Sequence, residues 1–188
     1  MSTMLNDALT CVANDLNAHF ARSGAGPDDS VQLSGLVDAS GATPTLVEEK
    51  VVLLLTALDE EKNILPAPAG RGGATVPQTT VPIHLNVHVM FAATHKHYAS
   101  ALHMLSVVIA YLKAKPVFDR RNTPALTRGL RQLNFNLEKL AYADLSNLWS
   151  YLGVNYLPSV SYTIRLVALG SPQIRANPPA IETVEVST

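Results

Sequence analysis

Residues 144–165 read DLSNLWSYLGVNYLPSVSYTIR, a short helix joined to a long alternating strand, and this unit decides the fold class. Leu145, Leu148, Trp149 and Leu152 fall at i, i+3, i+4 and i+7, so the spacing predicts a helix with one buried stripe centred on the only tryptophan. Asp144 is placed as its N-cap, and Gly153 supplies a left-handed stop. Beyond Tyr156 and Pro158 the period drops to two: Val160, Tyr162, Ile164 and Leu166 share one face, and Ser159, Ser161, Thr163 and Arg165 the other. One face packs and the other stays polar. Trp149, Leu145 and Tyr162 are the core-packing residues this pattern selects.

The same two periods organise the rest of the chain. Met4, Leu5, Ala8, Leu9, Val12, Leu16 and Phe20 recur at threes and fours, predicting an amphipathic helix over 3–22 that SGAGPDD at 23–29 ends. Residues 31–37 are a weak strand candidate. KVVLLLTAL at 50–58 is a strong one, apolar on both faces as in a sheet covered on both sides. PAPAGRGGATVPQTT at 66–80 holds three prolines and three glycines and breaks regular structure. Residues 81–91 alternate again, with Val81, Ile83, Leu85, Val87, Val89 and Phe91 opposed to Pro82, His84, Asn86, His88 and Met90. A helix over 97–114 puts Tyr98, Leu102, Leu105, Ile109 and Leu112 on one stripe, with Ala101, Met104 and Val108 beside it, and Pro116 stops it. Residues 132–139 return to alternation.

This order predicts an α+β fold: a mostly antiparallel sheet of four to five strands packed against helices, in a single domain over 1–170. Residues 171–188 follow as an extended, proline-rich C-terminal arm. Its end, with Ile181, Val184 and Val186, has strand-forming character and suits pairing on a neighbour's sheet edge; a free tail is the other reading.

Composition narrows the function. Charged residues make up 15% and apolar residues 47% of the 188, little charge for the surface of a monomer, which favours an oligomer. A net charge of −1 removes any global attraction to nucleic acid or anionic membrane. The N-terminus has no basic region before an apolar run, so synthesis and assembly in the cytoplasm are expected. The most apolar helix is too short to cross a bilayer, so no direct membrane insertion is expected. Cys11, the only cysteine, falls on the apolar stripe of the first helix and reads as core.

No motif points to catalysis, a cofactor or a metal. His84 and His88 share a strand face, but four residues of strand separate their Cα atoms by ~13 Å, too far for two ligands of one zinc ion. GRGG at 70–73 is not followed by Lys-Ser or Lys-Thr, and GxSxG is absent. The polar faces His84/Asn86/His88, Gln132/Asn134/Asn136 and Ser159/Ser161/Thr163/Arg165 suit either a wet contact or lumen, or plain solvent. Lys113, Lys115, Arg120, Arg121, Arg128 and Arg131 cluster in one basic connection, and the acids Glu48, Glu49, Asp59, Glu60 and Glu61 sit at the ends of the strand at 50–58. The basic connection admits a solvated loop, a nucleic-acid contact, or a ring or partner interface with those acids.

The Leu-Trp-x-x-Leu-Gly step at 148–153 and Tyr-x-Pro-Ser-x-x-Tyr-x-x-Arg over 156–165 resemble the N-terminal module of the cap, or tail-terminator, proteins of extracellular contractile injection systems. The likeness extends more loosely over residues 1–170, and its motif concerns packing, not catalysis. It implies a homo-oligomeric, hexameric ring that closes the end of a contractile particle and touches its inner tube and sheath proteins. Longer members of that family carry a further C-terminal region. A phage head–tail joining or tail-completion protein is the related alternative, and a binding module for a small polar ligand on the His/Asn face is the alternative from another class.

Overall fold

The computed structural model describes residues 4–38, 40–61 and 83–168. The elements run α1 (Met4–Ser23), β1 (Val31–Leu33), a 3-10 turn (Thr45–Val47), β2 (Val51–Glu60), β3 (Ile83–Ala93), α2 (Tyr98–Ala114), β4 (Val117–Asp119), β5 (Leu130–Leu137), α3 (Tyr142–Leu152) and β6 (Ser159–Ala168). The fold is α+β, with six strands in the order β1-β2-β3-β6-β5-β4. The expectation of four to five mostly antiparallel strands is corrected in two respects. β1 pairs parallel to β2, which makes the sheet mixed, and β4 adds an edge strand of three residues, too short to show a period.

The alternating strands sort their side chains into two cores. On one face Val51, Leu53, Val87, Val89, Phe91, Leu133, Phe135, Tyr162, Ile164 and Leu166 pack beneath α1 and α2, with Cys11, Leu16 and Phe20 from α1. Full burial of a side chain the size of Leu16 or Phe20 contributes about 1.5–3 kcal/mol each, so this layer dominates stability. On the other face Val52, Leu54, Met90 and Ala92 meet Leu36, Val47 and Trp149, and Leu145, Leu148 and Leu152 of α3 pack around them. The domain is a three-layer stack: two helices, sheet, one helix.

Local chemistry sets the junctions. Gly153 ends α3 at φ +67°, where a Cβ is unfavourable. Asp144 is not the N-cap; α3 begins at Tyr142 after Ala141, and Asp144 lies in the first turn, where its charge suits the helix dipole. The Thr94 hydroxyl donates to the Val47 carbonyl and accepts from the Lys50 N–H at 3.1 Å, pinning the start of β2 to the end of β3.

Two apolar stretches differ from expectation. β2 is buried only over Val51–Leu54; Leu55 and Leu58, which stand opposite Val89 and Val87 on the α1/α2 face, are each 45% exposed. α2 buries Ala101, Met104, Leu105, Val108 and Leu112, while Tyr98, Leu102 and Ile109 face outward. Its inner stripe is therefore rotated from the one predicted. Among the described residues no helix is long and apolar enough to cross a membrane. The connection at 66–80, Val81 and Pro82 of the 81–91 strand pattern, and the arm at 171–188 lie outside the described residues.

Candidate functional site

α3 covers one end of its sheet face and leaves the other end polar. There β3 presents His84, Asn86 and His88, β6 presents Thr163 and Arg165, and β5 presents Gln132, Asn134 and Asn136, none of them fully buried. The register makes this a continuous surface: Asn86 and Asn134 flank Arg165 from either side, and His88 and Asn136 flank Thr163.

A bulge in β2 brings acid onto this face. The pairing with β3 shifts by one between Leu55 and Ala57, so Ala57 stands opposite His88 and Asp59 opposite Asn86. Because side chains alternate, a one-residue shift exchanges the faces of everything beyond it. Leu58 turns to the helix side, and Asp59 joins the histidine.

His88 then sits between two carboxylates. Its Nε2 lies 3.1 Å from Asp59 Oδ2, and its Nδ1 lies 3.1 Å from Glu138 Oε2, just past β5. The Thr163 hydroxyl donates to the same Glu138 oxygen at 3.2 Å. Burial opposes a charge on His88, but the hydrogen bonds and fields of Glu138 and Asp59 outweigh it, and its pKa is raised above the ordinary value. The two carboxylates occupy opposite ring nitrogens, so they do not converge on one ion; no metal-holding group of three or more such residues occurs among the described residues. Beside this cluster Arg165 donates to Glu61 at 2.9 Å.

The other residues selected from the sequence fall in three places. Arg120 and Arg121 are exposed in the turn after β4, and Arg128 is exposed before β5. Glu48 and Glu49 precede β2, and Glu60 and Glu61 end it, so the basic and acidic groups lie toward opposite sides of the strand order and do not meet within the chain. Glu61 is held by Arg165, and Glu49, at φ +54°, accepts the Lys96 N–H at 3.0 Å. Arg120, Arg121, Arg128, Glu48 and Glu60 form no ion pair among the described residues. Trp149 and Tyr162 are buried and Leu145 is half-buried against α3's core. Ile181, Val184 and Val186 lie outside the described residues.

A cleft of about 450 Å³ opens elsewhere, at the first turn of α2, lined by Gly26, Ser30, Glu49, His95, Ser100 and His103. Burial there pushes the His95 pKa down, favouring a neutral ring. The polar sheet face contributes nothing to this cleft. The carboxylate partners of His88 escaped sequence reasoning because they come from two other segments, 29 residues before it and 50 after it.

The profile of the family described as the Pvc16 N-terminal domain matches residues 7–183. No curated protein matches the sequence. Among solved structures, the PVC sheath/tube terminator of an extracellular contractile injection system, in its extended state, aligns with a TM-score of 0.56 at 14% identity, over 100% of this chain and 65% of that one. The anti-feeding prophage tube-terminating cap aligns with a TM-score of 0.51 at 14% identity, over 93% of this chain and 60% of that one. At such identity the likeness is one of fold, and the chain spans about 65% and 60% of the lengths of these two neighbours.

Proposed function

The chain belongs to the Pvc16 N-terminal domain family, and from that membership we propose that it is a non-enzymatic structural subunit that caps the tube and sheath of a contractile injection particle. The observation that carries this reading is the agreement of family and fold over nearly the whole chain with two proteins described as a sheath/tube terminator and a tube-terminating cap.

In this reading six copies close into a ring that forms in the cytoplasm and becomes part of the particle. A closed ring ends a helical stack because its outer surface offers no site for the next subunit. Each contact in such a ring joins two different patches, and the basic turn at Arg120 and Arg121 with the acids Glu48 and Glu60 supplies a complementary pair. The polar half of the sheet suits a wet contact with the tube or sheath protein. The arm at 171–188, through Ile181, Val184 and Val186, adds a further contact between subunits.

The test is genetic. Particles made without this chain are expected to have sheath–tube structures of uncontrolled length, or none, by electron microscopy. Particles of normal, fixed length overturn the capping function.

A further inference from the structure

We propose that His88 is a proton-operated latch: when protonated it ties the far end of β2 to the segment after β5, across β3 and β6, and when neutral it releases one of the two. The argument is stereochemical. A neutral imidazole carries one N–H and one lone pair, so it donates to only one acceptor. Here both ring nitrogens lie 3.1 Å from carboxylate oxygens, and both contacts are favourable only in the imidazolium form. Loss of the proton leaves a lone pair facing either Asp59 at Nε2 or, at Nδ1, Glu138 and the Thr163 hydroxyl 3.3 Å away, which can donate to it in place of the lost bond.

Burial opposes the charged form, and the two flanking carboxylates favour it. β2 contributes Asp59, and Glu138 follows β5, with the Thr163 hydroxyl of β6 on the same Glu138 oxygen. The next ionic groups on this face are Glu61 and Arg165, which neutralise each other at 2.9 Å. His84, four residues away along the strand, is the only other titratable group that β3 places on this face. Asp59 is 67% exposed against 26% for Glu138, so the Asp59 contact is the one solvent competes for, and it is the arm expected to open first.

The consequence falls on the end of β2. Beyond Leu53 that strand is no longer paired with β1, and its outer residues are exposed, so cross-face ties such as Asp59–His88 bear more of its order. Releasing the proton also raises the face's net negative charge by one. A partner seated on this surface therefore meets a different charge and a looser strand above the transition than below it. This inference concerns the isolated chain and stands or falls separately from the capping function.

The experiment follows the His88 ring nitrogens by NMR across pH 5–9 in the full chain, together with amide-exchange protection factors for Ala57–Glu60. The expected result is a titration above that of an ordinary histidine, both nitrogens protonated below it, and protection at Asp59 and Glu60 falling as the pH rises through it. Asp59→Asn is expected to lower the titration while leaving the fold intact. His88→Gln, which keeps one neutral hydrogen bond, is expected to show the weak protection at all pH values. An ordinary titration with one protonated nitrogen, or protection at β2 that does not change through the titration, overturns the latch.

Discussion

The side-chain amide of Asn17 brackets the backbone of Val31, accepting from its N–H at 2.7 Å and donating to its carbonyl at 2.9 Å. α1 thereby occupies the outer edge of β1 as a neighbouring strand would. Asn122 does the same for β4: its Oδ1 accepts the Asp119 N–H at 3.1 Å and its Nδ2 donates to the Val117 carbonyl at 2.7 Å. Each end of the sheet is thus closed by an asparagine, which blunts the edges against unwanted strand pairing. Asn17→Ala removes two hydrogen bonds at a half-buried site and is expected to cost about 1–3 kcal/mol, read from the urea midpoint. Asn122→Ala, at an exposed edge, is expected to cost about 1 kcal/mol and to cause concentration-dependent self-association on gel filtration. A wild-type elution profile at high concentration rejects the edge-closing role of Asn122.

Trp149 joins the second core to the chain entering β6. It is buried against Val52, Leu54, Met90 and Ala92, and its ring meets Tyr156 edge to face at 5.5 Å. Trp149→Ala is expected to cost about 3–5 kcal/mol through lost burial and a cavity. Thermal denaturation checks it. An unchanged melting temperature combined with lost incorporation into particles identifies Trp149 as contact surface instead.

What the sequence made legible follows from the length and exposure of each element. β6, one-sided over ten residues, shows its period plainly, and so does α1 over twenty. β4, three residues long, has no period to read, and the parallel pairing of β1 depends on partners that no local pattern encodes. β2 looked buried throughout because its leucines continue past Leu54, yet Leu55 and Leu58 stand exposed at one end of the α1/α2 face, and how far those helices cover the strand is a tertiary property. The histidines of the polar face were legible as a shared surface. Glu138 fell in the polar set of the alternation over 132–139, but Asp59 could not be placed, because a bulge between Leu55 and Ala57 determines which face it occupies.

Tyr111 gives a prediction at alkaline pH. Its hydroxyl donates to Asp15, whose same Oδ2 lies 2.6 Å from Lys115 Nζ, tying α1 to α2. Burial first, and then the Asp15 bond and charge, raise the phenol pKa well above its ordinary value of about 10. A raised folded-state pKa gives a stabilisation that is complete below the unfolded value and is lost as pH climbs toward the folded one. Stability is therefore expected to decline from about pH 10 upward. Tyr111→Phe should cost about 1 kcal/mol at neutral pH and make the alkaline decline shallower, with buried Tyr162 still contributing in the same direction. Equal slopes for the two proteins in urea titrations above pH 10 exclude Tyr111 as a source.

The charged patches test how subunits meet. Arg120 and Arg121 are exposed and unpaired among the described residues, so reversing both to Glu is expected to leave the melting temperature nearly unchanged, within about 0.5 kcal/mol, while blocking assembly. The compensating change must avoid Glu61, which holds Arg165, and Glu49, which caps the backbone at Lys96. Glu48→Lys and Glu60→Lys are the informative pair, since neither residue has an ion pair among the described residues to lose. Recovery of particles in the combined variant assigns the contact to neighbouring ring subunits. Continued failure with an intact fold assigns the basic turn to a tube or sheath partner, because reversing the glutamates does nothing for a third protein. Normal assembly of the Arg120→Glu, Arg121→Glu variant alone shows a solvated turn and removes the charge complementarity from the ring.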